Sequence, residues 1–258
     1  MLWEIANTPH RLLGSIHILP DGSVMPDWVE ASHKGIKRFV FERDNGDMSD
    51  AAIGIDKTRA HLKFPGAPDI YLRAKQFLGS IGRNEPFEDL LPWNAAFHIS
   101  VCVAVHLKHY HHNGVESRFR AFANSNKLSV EFLEFPKRCF ELIHLSHQNE
   151  QSGLAYLESV VTHAESGKLK SKMELIPPTW YASDLKGFTT IHNEGSIECP
   201  PFFNAVVTQR NREWANVAKN IAAESIPTLF VIGSIHTVGS GSFIENMENA
   251  GFKFKFIS

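Results

Sequence analysis

The chain lacks most of what would tie it to an extracellular, nucleic-acid or membrane setting. Only three of its 258 residues are cysteine: Cys102, Cys139 and Cys199. They are far apart, odd in number and form no Cys-x-x-Cys pair. That argues against a disulfide framework or a thiolate zinc site and fits a reducing compartment. Charge of neither sign dominates. Lys and Arg number 26 against 28 Asp and Glu, so no basic excess points to nucleic acid as a partner. No apolar run reaches the roughly 18 residues of a membrane helix, and no membrane insertion is expected. The opening Met1-Leu2-Trp3-Glu4-Ile5 has neither a basic n-region nor an apolar h-region, so a cytoplasmic protein is expected. Solenoid repeats and low-complexity segments are missing as well.

What is present is ordinary globular composition, 43% hydrophobic and 21% charged, enough for a full core. One tetrapeptide occurs twice. Gly14-Ser15-Ile16-His17 lies near the start and Gly233-Ser234-Ile235-His236 near the end. Each follows an apolar run that reads as a strand: Arg11-Leu12-Leu13 and Thr228-Leu229-Phe230-Val231-Ile232. Glycine lets the chain turn or approach another chain closely where the strand stops. Ligands of open α/β sheets bind beyond the carboxyl ends of strands. One such histidine alone is more often a core residue; two in identical context suggest a shared cleft.

Taken in order, residues 3–5 and 11–16 read as strands, and Pro26-Asp27 starts a helix to about Lys37. Residues 38–42 form the next strand, ending on Glu42. Strand, helix, strand at this spacing reads as a βαβ unit of a parallel sheet, with Glu42 opening on the same side as His17. Residues 49–110 show helices and no convincing strand, which reads as a helical cap over about 48–113. A helix from Gly114 to Asn124 and a strand ending on Glu134 follow. Helices are expected over 135–151 and 153–167. Pro177-Pro178 is expected to break the chain, a short helix to cover 179–188, and a loop 189–200. One helix spans 202–224, the second motif follows, a helix covers 243–250, and 252–257 is an edge strand. The expected architecture is α/β, a mixed and mostly parallel sheet flanked by helices, in a single domain spanning 1–258.

Three strand ends thus carry His17, Glu42 and His236. Two imidazoles and a carboxylate suit a divalent metal with an open position, zinc, manganese, iron or cobalt. The same groups could work without metal, with Glu42 orienting a histidine that acts as general base. Arg210 and Asn211, just before the second motif, and Glu134 are candidate substrate-binding residues, with Arg210 suited to a carboxylate or an oxyanion. His106, His109, His111 and His112 form a second cluster. His106 and His109 have i, i+3 spacing, but without an acidic partner the cluster reads as an exposed helix end. Glu116 reads as a cap or a solvated acid.

These residues resemble the TraB/GumN (TraB/PrgY/GumN, Tiki-like) family. The resemblance rests on Leu2-Trp3-Glu4-Ile5 with Leu12-Leu13-Gly14-Ser15-Ile16-His17, and on Phe39-Val40-Phe41-Glu42. It rests also on Gly114-Val115-Glu116 with Leu133-Glu134, on Arg210-Asn211-x-x-Trp214, on Gly233-Ser234-Ile235-His236, and on Ala250-Gly251-Phe252. It implies a fold shared with Tiki-like, erythromycin-esterase-like and ChaN-like proteins. It further implies a site of His17, Glu42, Arg210 and His236, with metal on His17, Glu42 and His236. Animal Tiki members are described as metal-dependent proteases, so a peptidase is the leading expectation, acting on a peptide or another small molecule. A metal-free, histidine-based esterase and a protein that only captures peptides are the alternatives. Glu116 stands where the family usually has Asp, and the signal peptide or membrane helices of many relatives are not seen here.

Overall fold

The computed structural model describes residues 1–44, 55, 66–147 and 150–258. Its centre is a six-stranded sheet. In chain order the strands are β1 (Leu2–Ile5), β2 (Arg11–Ser15), the short β3 (Leu19–Pro20), β4 (Arg38–Arg43), the short β5 (His109–Tyr110), β6 (Ser129–Glu134), β7 (Thr228–Gly233) and β8 (Phe254–Phe256). The sheet runs β6-β4-β7-β2-β1-β8. The first four strands are mutually parallel, and β1 and β8 are antiparallel additions at one edge. The architecture is therefore the mixed, mostly parallel α/β sheet that the sequence leads one to expect.

One feature of the order was not legible. β2 and β4 do not pair with each other; β7 lies between them, with Leu13 and Phe41 both opposite Val231. Every residue of β7 is buried. An unbroken apolar run such as Leu229-Phe230-Val231-Ile232 suits a strand covered on both faces.

The helices are α1 (Asp27–Ser32), α2 (Ala67–Ser80), α3 (Pro92–His106), α4 (Val115–Ser125), α5 (Arg138–Ser146), α6 (Glu150–Glu165), α7 (Lys168–Tyr181), α8 (Leu185–Glu198), α9 (Pro200–Phe203), α10 (Arg210–Ala222) and α11 (Phe243–Asn249). Four expectations need correcting. α1 ends at Ser32 and not near Lys37, because Gly35 takes a left-handed turn at φ 78°. α7 passes through Pro177-Pro178 unbroken. Pro177, Thr179 and Trp180 are buried there, and the Trp180 indole donates to the Gly14 carbonyl at 2.8 Å, so packing outweighs the missing backbone donors. The stretch 189–200, expected as loop, is mostly α8. Asp184 caps it by accepting from the Gly187 N–H, and Phe188 and His192 are buried one turn apart. The single helix expected over 202–224 is instead α9, a π-helical stretch at Asn204–Gln209, and then α10.

The main core surrounds the sheet. A second apolar cluster joins Tyr71 and Leu78 of α2, Ile99 of α3, and Leu157 and Val161 of α6. The helices expected as a cap thus pack on α6, beyond the boundary near 113. Most of the expected cap's start, residues 48–65, lies outside the described residues. Inside the cap, β5 pairs with β3. The histidine tract is an exposed helix end only at His106, which closes α3; His109 is buried in β5, and His111 begins a 3-10 turn. Among the described residues no helix is long and apolar enough to cross a membrane.

Candidate active site

The carboxyl ends of β2, β4, β6 and β7 deliver four groups to one place: His17, Glu42, Glu134 and the Gly233 turn. Gly233 is the hub. A Cβ at that position would lie 3.1 Å from both His17 Nε2 and Glu42 Oε1, and 3.5 Å from His236 Cδ2. The three residues expected to form the site therefore converge on the bare side of one glycine. The two tetrapeptides also bind each other: Ser234 Oγ donates to the Ser15 carbonyl at 2.9 Å.

Each of these groups is fixed by a second layer. The Asn211 amide donates to the Gly241 carbonyl at 2.8 Å, which turns its Oδ1 towards His236 Nδ1 at 2.7 Å. An oxygen acceptor there requires the proton on Nδ1, leaving the lone pair of the neutral ring on Nε2. His17 Nδ1 lies 2.9 Å from Glu116 Oε1, so its Nδ1 carries a proton too. Ser15 Oγ donates to the same Glu116 oxygen. His17 Nε2 then faces Glu42 Oε1 at 3.6 Å. Glu42 is held by the Gly233 N–H at 2.7 Å and by Arg210 Nη2 at 3.0 Å.

Arg210 and Asn211 start α10, directly after the π-helical stretch. Consecutive helical residues point about 100° apart, so the pair serves two neighbours at once, Asn211 reaching His236 and Arg210 reaching Glu42. Arg210 also binds Glu134 through Nε at 3.0 Å and Nη2 at 2.7 Å, donates to the Val206 carbonyl, and lies 4.3 Å from the Trp214 ring centre. Trp214 Nε1 donates to Glu134 at 2.9 Å. Of the residues expected to contact substrate, Arg210 bonds to Glu42 and Glu134, and Asn211 to His236 and the Gly241 carbonyl.

The electrostatics follow from this layout. Burial holds the His236 pKa down to about 3, so the ring is neutral. Burial would raise the Glu42 carboxyl, but His17 and Arg210 outweigh it and hold it well below the usual range. For His17, removal from water opposes protonation, yet Glu116 and Glu42 overcome it and raise the pKa to about 9. One face of this ring is open, with 49% of the side chain exposed, while both nitrogens face carboxylates. Glu116 is buried, and its Oε2 has no hydrogen-bond partner among the described residues. Two carboxylates, Glu42 and Glu134, share the Arg210 guanidinium, and a third, Glu116, faces His17.

In donor type and in the proton held on Nδ1, these residues suit a divalent cation. Metal-binding histidines usually donate their other N–H to a carboxylate or carbonyl oxygen, as His17 and His236 do here. In spacing, no three His, Cys, Asp or Glu side chains among the described residues already enclose an ion-sized point.

The profile of the TraB/PrgY/gumN family matches residues 1–255, nearly the whole chain. The chain belongs to the TraB/PrgY/gumN family. No curated protein and no solved structure matches it. In this TraB-family chain the repeated motifs, the strand-end glutamate and the Arg-Asn pair occupy one site. Glu116, Ser15, Ser234 and Trp214 belong to it as well. The serine shared by both tetrapeptides was the signal for two of them. Glu116 had only its place after Gly114, whose bare Cα sits against the His17 carbonyl.

Proposed function

We propose that the protein is a peptidase that depends on a divalent cation held by His17, Glu42 and His236. The observation that supports this most is the pair of tautomer locks, Glu116 on His17 Nδ1 and Asn211 on His236 Nδ1. Both leave Nε2 as the ligating atom, and that of His17 faces Glu42. Zinc, manganese or cobalt there would supply a Lewis acid and a water of lowered pKa.

The chain's own part is positional. Glu116 and Asn211 orient the two rings. Arg210 and the Gly233 N–H pin the Glu42 carboxylate. Gly233 leaves room for a reacting group, and the open face of His17 is the side from which a substrate arrives. A metal-free mechanism would need a base of near-neutral pKa. His236 and Glu42 are too weakly basic for that role, and His17, raised to about 9, is the histidine that would take it; activity that resists chelators would favour this esterase-like reading.

The test uses protein purified without a histidine tag. Metal content is measured, and a peptide mixture is incubated with wild type, His17→Ala and His236→Ala and read by mass spectrometry. Wild type should carry metal and cleave, chelation should stop cleavage, and both variants should lose metal and activity. Stoichiometric metal retained by both variants, or cleavage indifferent to chelators, would overturn the proposal. Peptides recovered intact but bound would indicate capture without turnover.

A further inference from the structure

Helix α4 presents a second face to a separate cavity. Val115, Phe119 and Phe122 of α4 and Val29 of α1 line a space of about 140 Å³, with Met25 at its base. The floor is apolar, but the lining also includes one carboxylate, Glu30, and one guanidinium, Arg118. Arg118 is anchored by a hydrogen bond from Nη2 to the Ser23 carbonyl at 2.5 Å. Among the described residues neither Glu30 nor Arg118 makes an ion pair, with each other or with anything else. The remaining polar group is His33, whose ring packs on Phe119 and Phe122 and whose buried Nδ1 has no hydrogen-bond partner among the described residues.

An unpaired anion and an unpaired cation on one apolar cavity are complementary to a zwitterion with an apolar tail. We infer that this cavity binds a free apolar amino acid, with its carboxylate on Arg118, its ammonium on Glu30 and its side chain on the floor. The size agrees, since an apolar cavity of ~150 Å³ holds a benzene-sized guest. The assignment stands on these residues and does not depend on the peptidase reading. It has a consequence for the other site. Val115, one wall of the cavity, donates its N–H to the Ile16 carbonyl at 3.1 Å and precedes Glu116, which orients His17. A bound amino acid braces that first turn of α4.

Calorimetric titration of the full chain with L-leucine, N-acetyl-L-leucine and L-leucinamide tests this. Leucine should bind saturably at one site, and both analogues at least tenfold more weakly. Arg118→Gln should erase the preference for leucine over leucinamide, and Glu30→Gln the preference over N-acetyl-leucine. His17→Ala should bind leucine as wild type does. Glu30 is exposed on α1, so Glu30→Gln remains a fair test if Arg118→Gln fails to fold. No saturable binding by folded wild type, equal affinity for the three compounds, or loss of binding in His17→Ala would each overturn the inference.

Discussion

Gly233 and Gly114 are both close-approach glycines, and they fail differently. Gly233 has φ −52° and ψ 135°, which any residue can adopt. Its missing Cβ faces His17 and Glu42 at 3.1 Å. Gly233→Ala should therefore fold with a Tm near wild type and lose about 10²-fold in kcat/KM, the scale of a small misplacement of reacting groups. Gly114→Ala should instead lower Tm, since its Cβ would overlap the His17 backbone carbonyl. Thermal melts beside kinetics separate the two. The site histidines also set the pH dependence of stability, with opposite signs. His236 is held near pKa 3 by burial, so the unfolded chain binds a proton that the folded chain refuses. Its stabilising contribution is full above about pH 6.5 and fades as pH falls towards 3. His17 is raised to about 9; its contribution is full below about pH 6.5 and fades as pH rises through 9. Urea midpoints across this range should fall at both ends for the metal-free protein. His236→Gln should flatten the acidic limb and His17→Gln the alkaline one; unchanged limbs would refute the assignment. At this scale His17, Glu42 and His236 were legible because each ends a strand. Glu116 was not, because its partner lies about a hundred residues away.

Among the elements, α10 controls the site from behind. Arg210, Asn211 and Trp214 are its buried face, and the π-helical stretch before it precedes the two residues that must aim at different targets. Short π segments recur at functional sites. Asn211→Leu keeps the volume and removes the acceptor for His236 Nδ1, leaving that ring free to change tautomer. A loss of 10–100-fold in metal affinity or activity is expected, the usual size for such an outer-layer partner. Metal titration with circular dichroism as a folding control checks it. Unaltered affinity would mean that Asn211 plays no orienting part. Element type was readable from the unbroken apolar runs of β4 and β7 and from the helical period of α10. It failed where local rules were overridden: Pro177-Pro178 lies inside α7 because Trp180 is anchored to Gly14, and glycine-containing α8 forms because Asp184 caps it.

On the scale of the molecule, the core formed by α2, α3 and α6 contains none of the site residues. Leu157 is fully buried in the cluster of α2, α3 and α6. Leu157→Ala should cost about 2–5 kcal/mol yet leave kcat per folded molecule unchanged at low temperature. Denaturant titration beside low-temperature kinetics checks this; a fall in kcat would show that the second core supports the site. The sheet's class was legible from composition and pattern, but not its order, because nothing local says that a strand near one end of the chain will sit between two strands near the other. Ser15 and Ser234, which hold the two motifs together, are 219 positions apart. That distance is also an interval of time. While the chain is being made, β2 and β4 have no central partner until Thr228–Gly233 has emerged. Contacts this remote make for slow folding, and they leave two apolar strand edges waiting for most of synthesis. A chain shortened before β7 should accumulate as aggregate and not as a folded half, so that a strand made near the end of synthesis decides whether the first ones are ever used.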